Sequence, residues 1–476
     1  MNYTSNNFTS AFKTTFGPGP FVRTNAEAIQ LNKSVSLIKG GIYLYVLLLI
    51  FEGSLRKWVL PGLAAPLLII RDPLALYIIF LCWKEKILPS NIILASTVWI
   101  GFISLFTALF LGHKNLFVAV FGARYLLIHF PLIFIIGKIM DRDDIIRIGK
   151  QMLVISIPIT ILTVLQFYSP QSAWVNRGVG GDMEGAGFNG GALGYFRPPG
   201  TFSFTNGNTM FYSLLACFVF YFWLNSKHVN KLILVTSTLC LITEIPISIS
   251  RGLLFQIMIS LLFAVIAFVR NPKHLGKLLF TAAVSYFALI ILQQVEFINT
   301  ATEAFLLRFE NASADEGGLQ GTLVNRFLMG MFGSVFNTGD LPFFGYGLGL
   351  GTNVGSQLTT GDRQFLIAED EWPRLIGEIG PLLGLLLIAI RLSFGFQVFI
   401  GALRKLKAGD YLPWMLLSFG LLLIVQGGWA QPTSLGFCTI VAGMLVAALR
   451  DENAETASLS TNEEPEPIGN YNSLYK

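Results

Sequence analysis

The sequence predicts an all-α polytopic membrane protein of about twelve transmembrane helices with two long extracytoplasmic loops, the larger between spans 9 and 10. Three observations predict it. Of 476 residues, 53% are hydrophobic and 13% charged, whereas a soluble domain carries about 25% charged residues. The mean hydropathy is +0.62. The apolar residues also run in blocks of about 20, the length that crosses a bilayer as a helix. Too few charges exist to cover soluble domains from a chain this long, so the outer surface faces lipid.

In order, the apolar blocks lie at 36–52, 60–83, 90–111, 116–138, 151–168, 208–225, 231–248, 252–269, 277–293, 375–397, 411–428 and 432–449. The resulting organisation is a cytoplasmic N-terminal tail over 1–35, spans 1–5 over 36–168, and an extracytoplasmic loop over 169–207. Spans 6–9 follow over 208–293, a large extracytoplasmic loop over 294–374, spans 10–12 over 375–450, and a disordered acidic cytoplasmic tail over 451–476. Residues 1–30 are polar and rich in Asn, Thr and Phe, which predicts a retained first helix rather than a cleaved signal. Cys82, Cys217, Cys240 and Cys438 are scattered through apolar blocks without CxxC spacing and read as small apolar side chains.

Basic residues set the orientation. With the N-terminus in the cytoplasm, Lys84, Lys86, Lys138, Arg142, Arg147, Lys150, Arg270, Lys273, Arg404, Lys405 and Lys407 all fall inside. The short external turns keep Arg56, Lys57, Lys114 and Arg251. The opposite orientation would violate the positive-inside rule, so both termini are expected in the cytoplasm. The net charge of +5 is thereby accounted for without a nucleic-acid partner.

Charges inside apolar blocks are costly and point to sites. Arg71 and Asp72, followed by Pro73, interrupt the second span and predict a broken helix, either a structural kink or a polar site. Arg124 stands in the fourth span, where a guanidinium needs an anion or several carbonyls. Glu244, near the outer end of the seventh span, is a partner for Arg124 or Arg251 on one reading. Arg251 opens the eighth span, whose free amides favour anions. Arg197 lies in the stiff run Arg197-Pro-Pro-Gly200, with Asn206 expected to cap the sixth span. Together these arginines predict a cationic site at the outer leaflet, with headgroup snorkelling as the plainer alternative for any single one. Guanidinium suits phosphate because it is planar, permanently charged and donates two parallel hydrogen bonds.

None of the four histidines falls in a long external loop, so an external general base would be a carboxylate. The run Glu369-Asp370-Glu371 is the candidate stretch, its alternative being an acidic helix start that complements the dipole. The alternating glycines of Gly345–Gly351 read as a close-packing turn rather than a nucleotide loop.

The order of short motifs resembles the O-antigen ligase and Wzy-type polysaccharide polymerase superfamily. The matching residues are Arg197-Pro-Pro-Gly-Thr-Phe-Ser203, Thr205-Asn206, Ser250-Arg-Gly252, Asn325-Arg326, Phe344-Gly-Tyr-Gly-Leu-Gly349, Glu378-Ile-Gly380 and Gly384. Phe51–Trp58 with Arg71-Asp-Pro73 resembles a subgroup tied to bacterial exopolysaccharide clusters. The resemblance implies a multi-pass protein of the bacterial inner membrane. Its substrates would be an undecaprenyl-pyrophosphate-linked glycan donor and a glycan acceptor, with no cofactor and no metal. Membrane lipids, and a chain-length regulator or export complex, are the further partners it implies. Glu369, Arg197 and Arg251 would be catalytic, and Arg124, Arg326, Asp370 and Arg374 would bind substrate. Ligases of the superfamily carry histidine where this chain has Glu369, which favours a polymerase. Transfer to another acceptor, transport of the lipid-linked glycan and a non-catalytic assembly role are the alternatives. No internal repeat of the transporter kind stands out.

Overall fold

A computed structural model describes residues 25–185, 188–226, 229–270, 296–316, 341–361, 366–368 and 370–450. The described chain is mostly helical with almost no sheet. Among the described residues, eight helices are long and apolar enough to cross a membrane, or nine if one bent pair forms a single span. The expected ninth span at 277–293, the acidic tail, Arg326 and Glu369 lie outside the described residues.

The N-terminal helix α1 runs Asn25–Ser54 and continues as a π turn, Leu55–Val59. The second block is broken, as Arg71-Asp72-Pro73 predicts: a short stretch through α2 (Ala64–Leu67) meets α3 (Arg71–Lys84) at 42°. Helix α4 spans Ile92–Phe110, with Asn91 Oδ1 accepting from Leu94 N at 2.7 Å. Its exposed stripe, Ile92, Trp99, Phe106 and Phe110, is apolar, while Thr97, Ser104 and Thr107 turn inward. A soluble helix shows the reverse pattern, so this face is built for lipid. Helices α5 (Leu116–Arg124) and α6 (Phe130–Ile139) join through a π turn at Tyr125–His129.

Helix α7, Arg142–Tyr168, begins nine residues before the expected 151. Asp141 and Asp144 form a reciprocal capping box there, which pulls Arg142 and Arg147 into the first turns. The hairpin β1 (Asn189–Ala192) and β2 (Tyr195–Arg197) gives the first long loop a structure of its own. Helices α8 (Thr205–Leu224), α9 (Lys231–Ile247) and α10 (Arg251–Arg270) follow. The second long loop contains α11 (Glu296–Glu316) and α12 (Asn353–Thr360).

Helix α13 covers Glu371–Lys407 but is not one rod. Gly380 sits at φ 83°, ψ 164°, followed by Pro381, so the chain doubles back there. A Cβ on Gly384 would stand 2.8 Å from Ile376 Cα, a contact that a straight helix does not permit. The expected span at 375–397 is therefore corrected to a short buried helix, Glu371–Ile379, and a span that starts after the break. Helices α14 (Leu412–Gln426) and α15 (Pro432–Leu449) complete the bundle, α15 almost wholly buried.

The two ends differ. At one, Lys39 pairs with Asp141 and Asp144, Arg142 with Asp410 at 2.5 Å, and Arg450 donates to the Lys138 carbonyl. The other end carries the hairpin, α11 and the turns around Arg56, His113 and Gly349.

Candidate functional site

At the loop-bearing end, three segments converge. Helix α9 stops at Ile247 after Pro246, and only Ser248, Ile249 and Ser250 reverse the chain into α10. Ile249 adopts φ 45°, unusual for a β-branched residue and worth about 1–3 kcal/mol of strain. Its side chain is fully buried with Ala301 and Ala304 of α11, beneath the hairpin's Ala192 and Tyr195. Ser250 Oγ caps α10 by accepting from Leu253 N at 3.3 Å, and Arg251 occupies the first helical position. A cation there opposes the helix dipole, an arrangement that an anion would reverse.

Arg197 ends β2, and its Nε donates weakly to the Ser248 carbonyl at 3.4 Å. Arg308 of α11 donates to the Gly190 carbonyl at 2.8 Å, holding the hairpin down. Arg197 feels both other guanidinium groups, and Arg308 feels Arg251. Burial, then Arg308 and Arg251, pushes Arg197 down to about 10, and burial with Arg251 lowers Arg308. Among the described residues no carboxylate lies within ion-pair distance of Arg197 or Arg308. Like charges gathered from three segments suit a multivalent anion.

The structure thus brings together Arg197 and Arg251, and adds Arg308, which the sequence reading missed. A signal was present: Ala301, Ala304, Phe305 and Arg308 fall at helical spacing on one face, so an arginine interrupts an apolar stripe.

Arg124 sits elsewhere. Its Nη1 donates to Asp72 at 3.1 Å, its plane lies over the Phe121 ring, and its charged neighbours are Asp72 and Arg71. Asp72 also holds His129 Nε2 at 2.9 Å, whose Nδ1 meets Tyr45 Oη at 2.9 Å. Arg71 turns away from its sequence neighbour Asp72, pairing with Glu52 at 3.3 Å and donating to the Pro432 carbonyl at 2.6 Å. Arg56 and Lys57, expected in an external turn, are buried: Arg56 meets Ser203 Oγ at 2.7 Å and Lys57 the Gly200 carbonyl at 2.9 Å. These bonds tie the end of the first span to the Pro198–Ser203 segment that follows Arg197.

Glu244 pairs with neither arginine. Its oxygens accept from Thr163 Oγ1 at 2.8 Å and Asn208 Nδ2 at 2.5 Å. Asn206 does not cap α8 either: the helix begins at Thr205, and Asn206 donates to Ser434 Oγ at 3.1 Å.

The acidic run splits. Asp370 is exposed at the start of α13, while Glu371 is buried between Arg374 and Arg391. All three guanidinium nitrogens of Arg374 donate to carboxylates, to Glu371 at 3.1 and 2.9 Å and to Glu378 at 2.5 Å. Buried at 2% exposure and paired with two carboxylates, Arg374 is an ion-pair partner inside the fold rather than a binding group. Glu378 in turn accepts from Gly351 N at 2.9 Å, and Gly347 N donates to the Glu378 carbonyl at 2.9 Å. The Gly345–Gly351 run packs closely, as expected: Gly349, at φ 93°, lies so near α5 that a Cβ would stand 3.0 Å from Gly122 N.

No protein-family model, curated protein or solved structure matches this chain. The site is therefore interpreted from its own residues.

Proposed function

We propose that the chain is a glycosyltransferase of the bacterial inner membrane that joins undecaprenyl-pyrophosphate-linked repeat units into a surface polysaccharide. The convergence of Arg197, Arg251 and Arg308 from three separate segments carries this reading. The loop-bearing end then faces away from the cytoplasm, with both termini inside, in keeping with the basic residues gathered at the other end.

In the proposed reaction an acceptor sugar hydroxyl attacks the anomeric carbon of the donor. A new C–O bond forms as the bond to the lipid diphosphate breaks, and the electron pair leaves with the diphosphate. The arginines stabilise the charge that grows on this leaving group. A carboxylate takes the hydroxyl proton, a role the motif order assigns to Glu369.

The test is elongation in liposomes that hold purified protein and a lipid-linked repeat unit. Wild type should release carrier pyrophosphate and lengthen the glycan, Arg197→Gln should cut the rate at least a hundredfold, and Glu369→Gln should stop it. Undiminished polymer from Glu369→Gln would remove that residue from the mechanism. Movement of intact donor across the bilayer without elongation would replace the transferase with a transporter.

A further inference from the structure

The π turn Leu55–Val59 that ends the first span holds Lys57 at 1% exposure. Its ammonium donates one hydrogen bond, to the Gly200 carbonyl at 2.9 Å. The rings of Trp58 and Phe188 lie 5.0 and 5.9 Å from it. Among the described residues no carboxylate is within ion-pair distance of Lys57. One carbonyl and two ring faces offset the loss of water less well than a carboxylate would. An apolar side chain of similar length would fill the same space without a buried charge, a change that is often neutral or stabilising. Stability does not explain a lysine here.

Its contacts flank Arg197 on both sides. Phe188 immediately precedes β1, whose first residue, Asn189, pairs with Arg197 across the hairpin. Gly200 follows Arg197 through Pro198 and Pro199. Each proline fixes its own φ at about −65° and keeps the residue before it extended, so Arg197–Pro199 is a stiff arm. Gly200 anchors the far end of that arm. At φ 58° it turns the chain, its N donates to Gln166 Oε1 at 2.8 Å, and its carbonyl accepts from Lys57. A displaced Gly200 would therefore carry Arg197 with it.

We propose that Lys57 is a positioning residue for the arginine site, setting through Gly200 and Phe188 where the Arg197 guanidinium stands relative to Arg251 and Arg308. The lysine itself is engaged with the Gly200 carbonyl and acts only through Arg197. A misplacement of about 1 Å in such a group can cost roughly a hundredfold in rate. The proposal rests on the transferase reading for the reaction that the site serves, but binding of pyrophosphate alone reads it out.

The experiment titrates the full chain in nanodiscs with inorganic pyrophosphate by calorimetry. Lys57→Met should bind at least ~tenfold more weakly than wild type, at an unchanged or higher melting temperature. Gln166 Nε2, 3.4 Å from the Gly200 carbonyl, keeps that oxygen from being stranded in the variant. Lys57→Arg, which retains a charged donor for a single carbonyl, should recover affinity to within about threefold of wild type. Added to Arg197→Gln, Lys57→Met should weaken binding by less than about twofold further, because its effect passes through Arg197. A loss of equal size with and without Arg197 would overturn the proposal, as would unchanged affinity in Lys57→Met or no rescue by Lys57→Arg. A lowered melting temperature or failure to fold in Lys57→Met would make the lysine a packing residue and overturn it too. Wild type that binds no pyrophosphate would remove the arginine site and the positioning role together. Lys57-dependent binding of pyrophosphate, in a protein that elongates nothing in liposomes, would support the positioning role and sink the transferase.

Discussion

Replacing Arg197 with glutamine should raise the stability of the ligand-free protein while weakening its hold on a diphosphate. The drop of Arg197 to about 10 reflects burial beside two like charges. At ~1.4 kcal/mol per tenfold change in protonation, that corresponds to about 3 kcal/mol carried by the protonated form. Screening by water at a partly open rim brings this to about 1–2 kcal/mol. The direct bond at stake is one long contact to the Ser248 carbonyl, worth about 0.5 kcal/mol at 3.4 Å. The balance favours the variant by roughly 1 kcal/mol. Because the folded value lies below the unfolded one, the penalty is in full force at neutral pH and fades only as pH rises through about 10. Denaturant unfolding in detergent measures the first quantity, and calorimetric titration with inorganic pyrophosphate the second, expected to weaken at least tenfold. An arginine retained only for packing would do the opposite. A destabilised Arg197→Gln that binds pyrophosphate as wild type does would refute the reasoning.

Three further outcomes follow from other parts of the fold. Arg374→Ala strips Glu378 of its ion pair in the interior, leaves Glu371 with Arg391 alone, and should cost about 3–5 kcal/mol, read as a collapse in the yield of folded protein. Gly349→Ala forces a side chain into φ 93° against the Gly122 backbone and should lower stability by about 1–3 kcal/mol in a thermal melt. Glu244→Gln should change stability by less than ~1 kcal/mol, because Asn208, whose Oδ1 is unpartnered, can turn over to accept from the new amide. Glu244→Leu leaves that amide without its acceptor, while Thr163 keeps the Thr160 carbonyl, and should cost about 1–3 kcal/mol in the same measurement.

Much of the architecture was legible because lipid imposes a simple rule on a helix: length and apolarity. The α4 and α15 blocks were readable to within about two residues for that reason, and the break at Arg71 because a proline and two charges cannot sit quietly in a span. Boundaries failed where caps overruled hydropathy. Asp141 and Asp144 carry α7 through residues that look like a loop, and Gly380 folds back a segment that looks continuous. Within the candidate site, Arg197 and Arg251 were legible from their glycine- and serine-flanked settings, but their neighbour Arg308 was not, since its helix lies in a segment read as loop. Charge partners were the least legible of all. Adjacent Arg71 and Asp72 look like a pair in sequence, yet helical geometry sends them to Glu52 and Arg124. Arg374 looks like a ligand for substrate and is instead buried in ion pairs with residues three before and four after it.

The wide sequence spacing of the arginine cluster has a practical consequence. Positions 197, 251 and 308 are separated by 54 and 57 residues (251 − 197 and 308 − 251), and each rides on a different piece of backbone. No peptide excised from this chain can reproduce their geometry, and an unfolded chain presents only isolated cations. Capture on a diphosphate resin therefore doubles as a conformational assay, retaining correctly assembled molecules after detergent extraction and letting misassembled ones pass through.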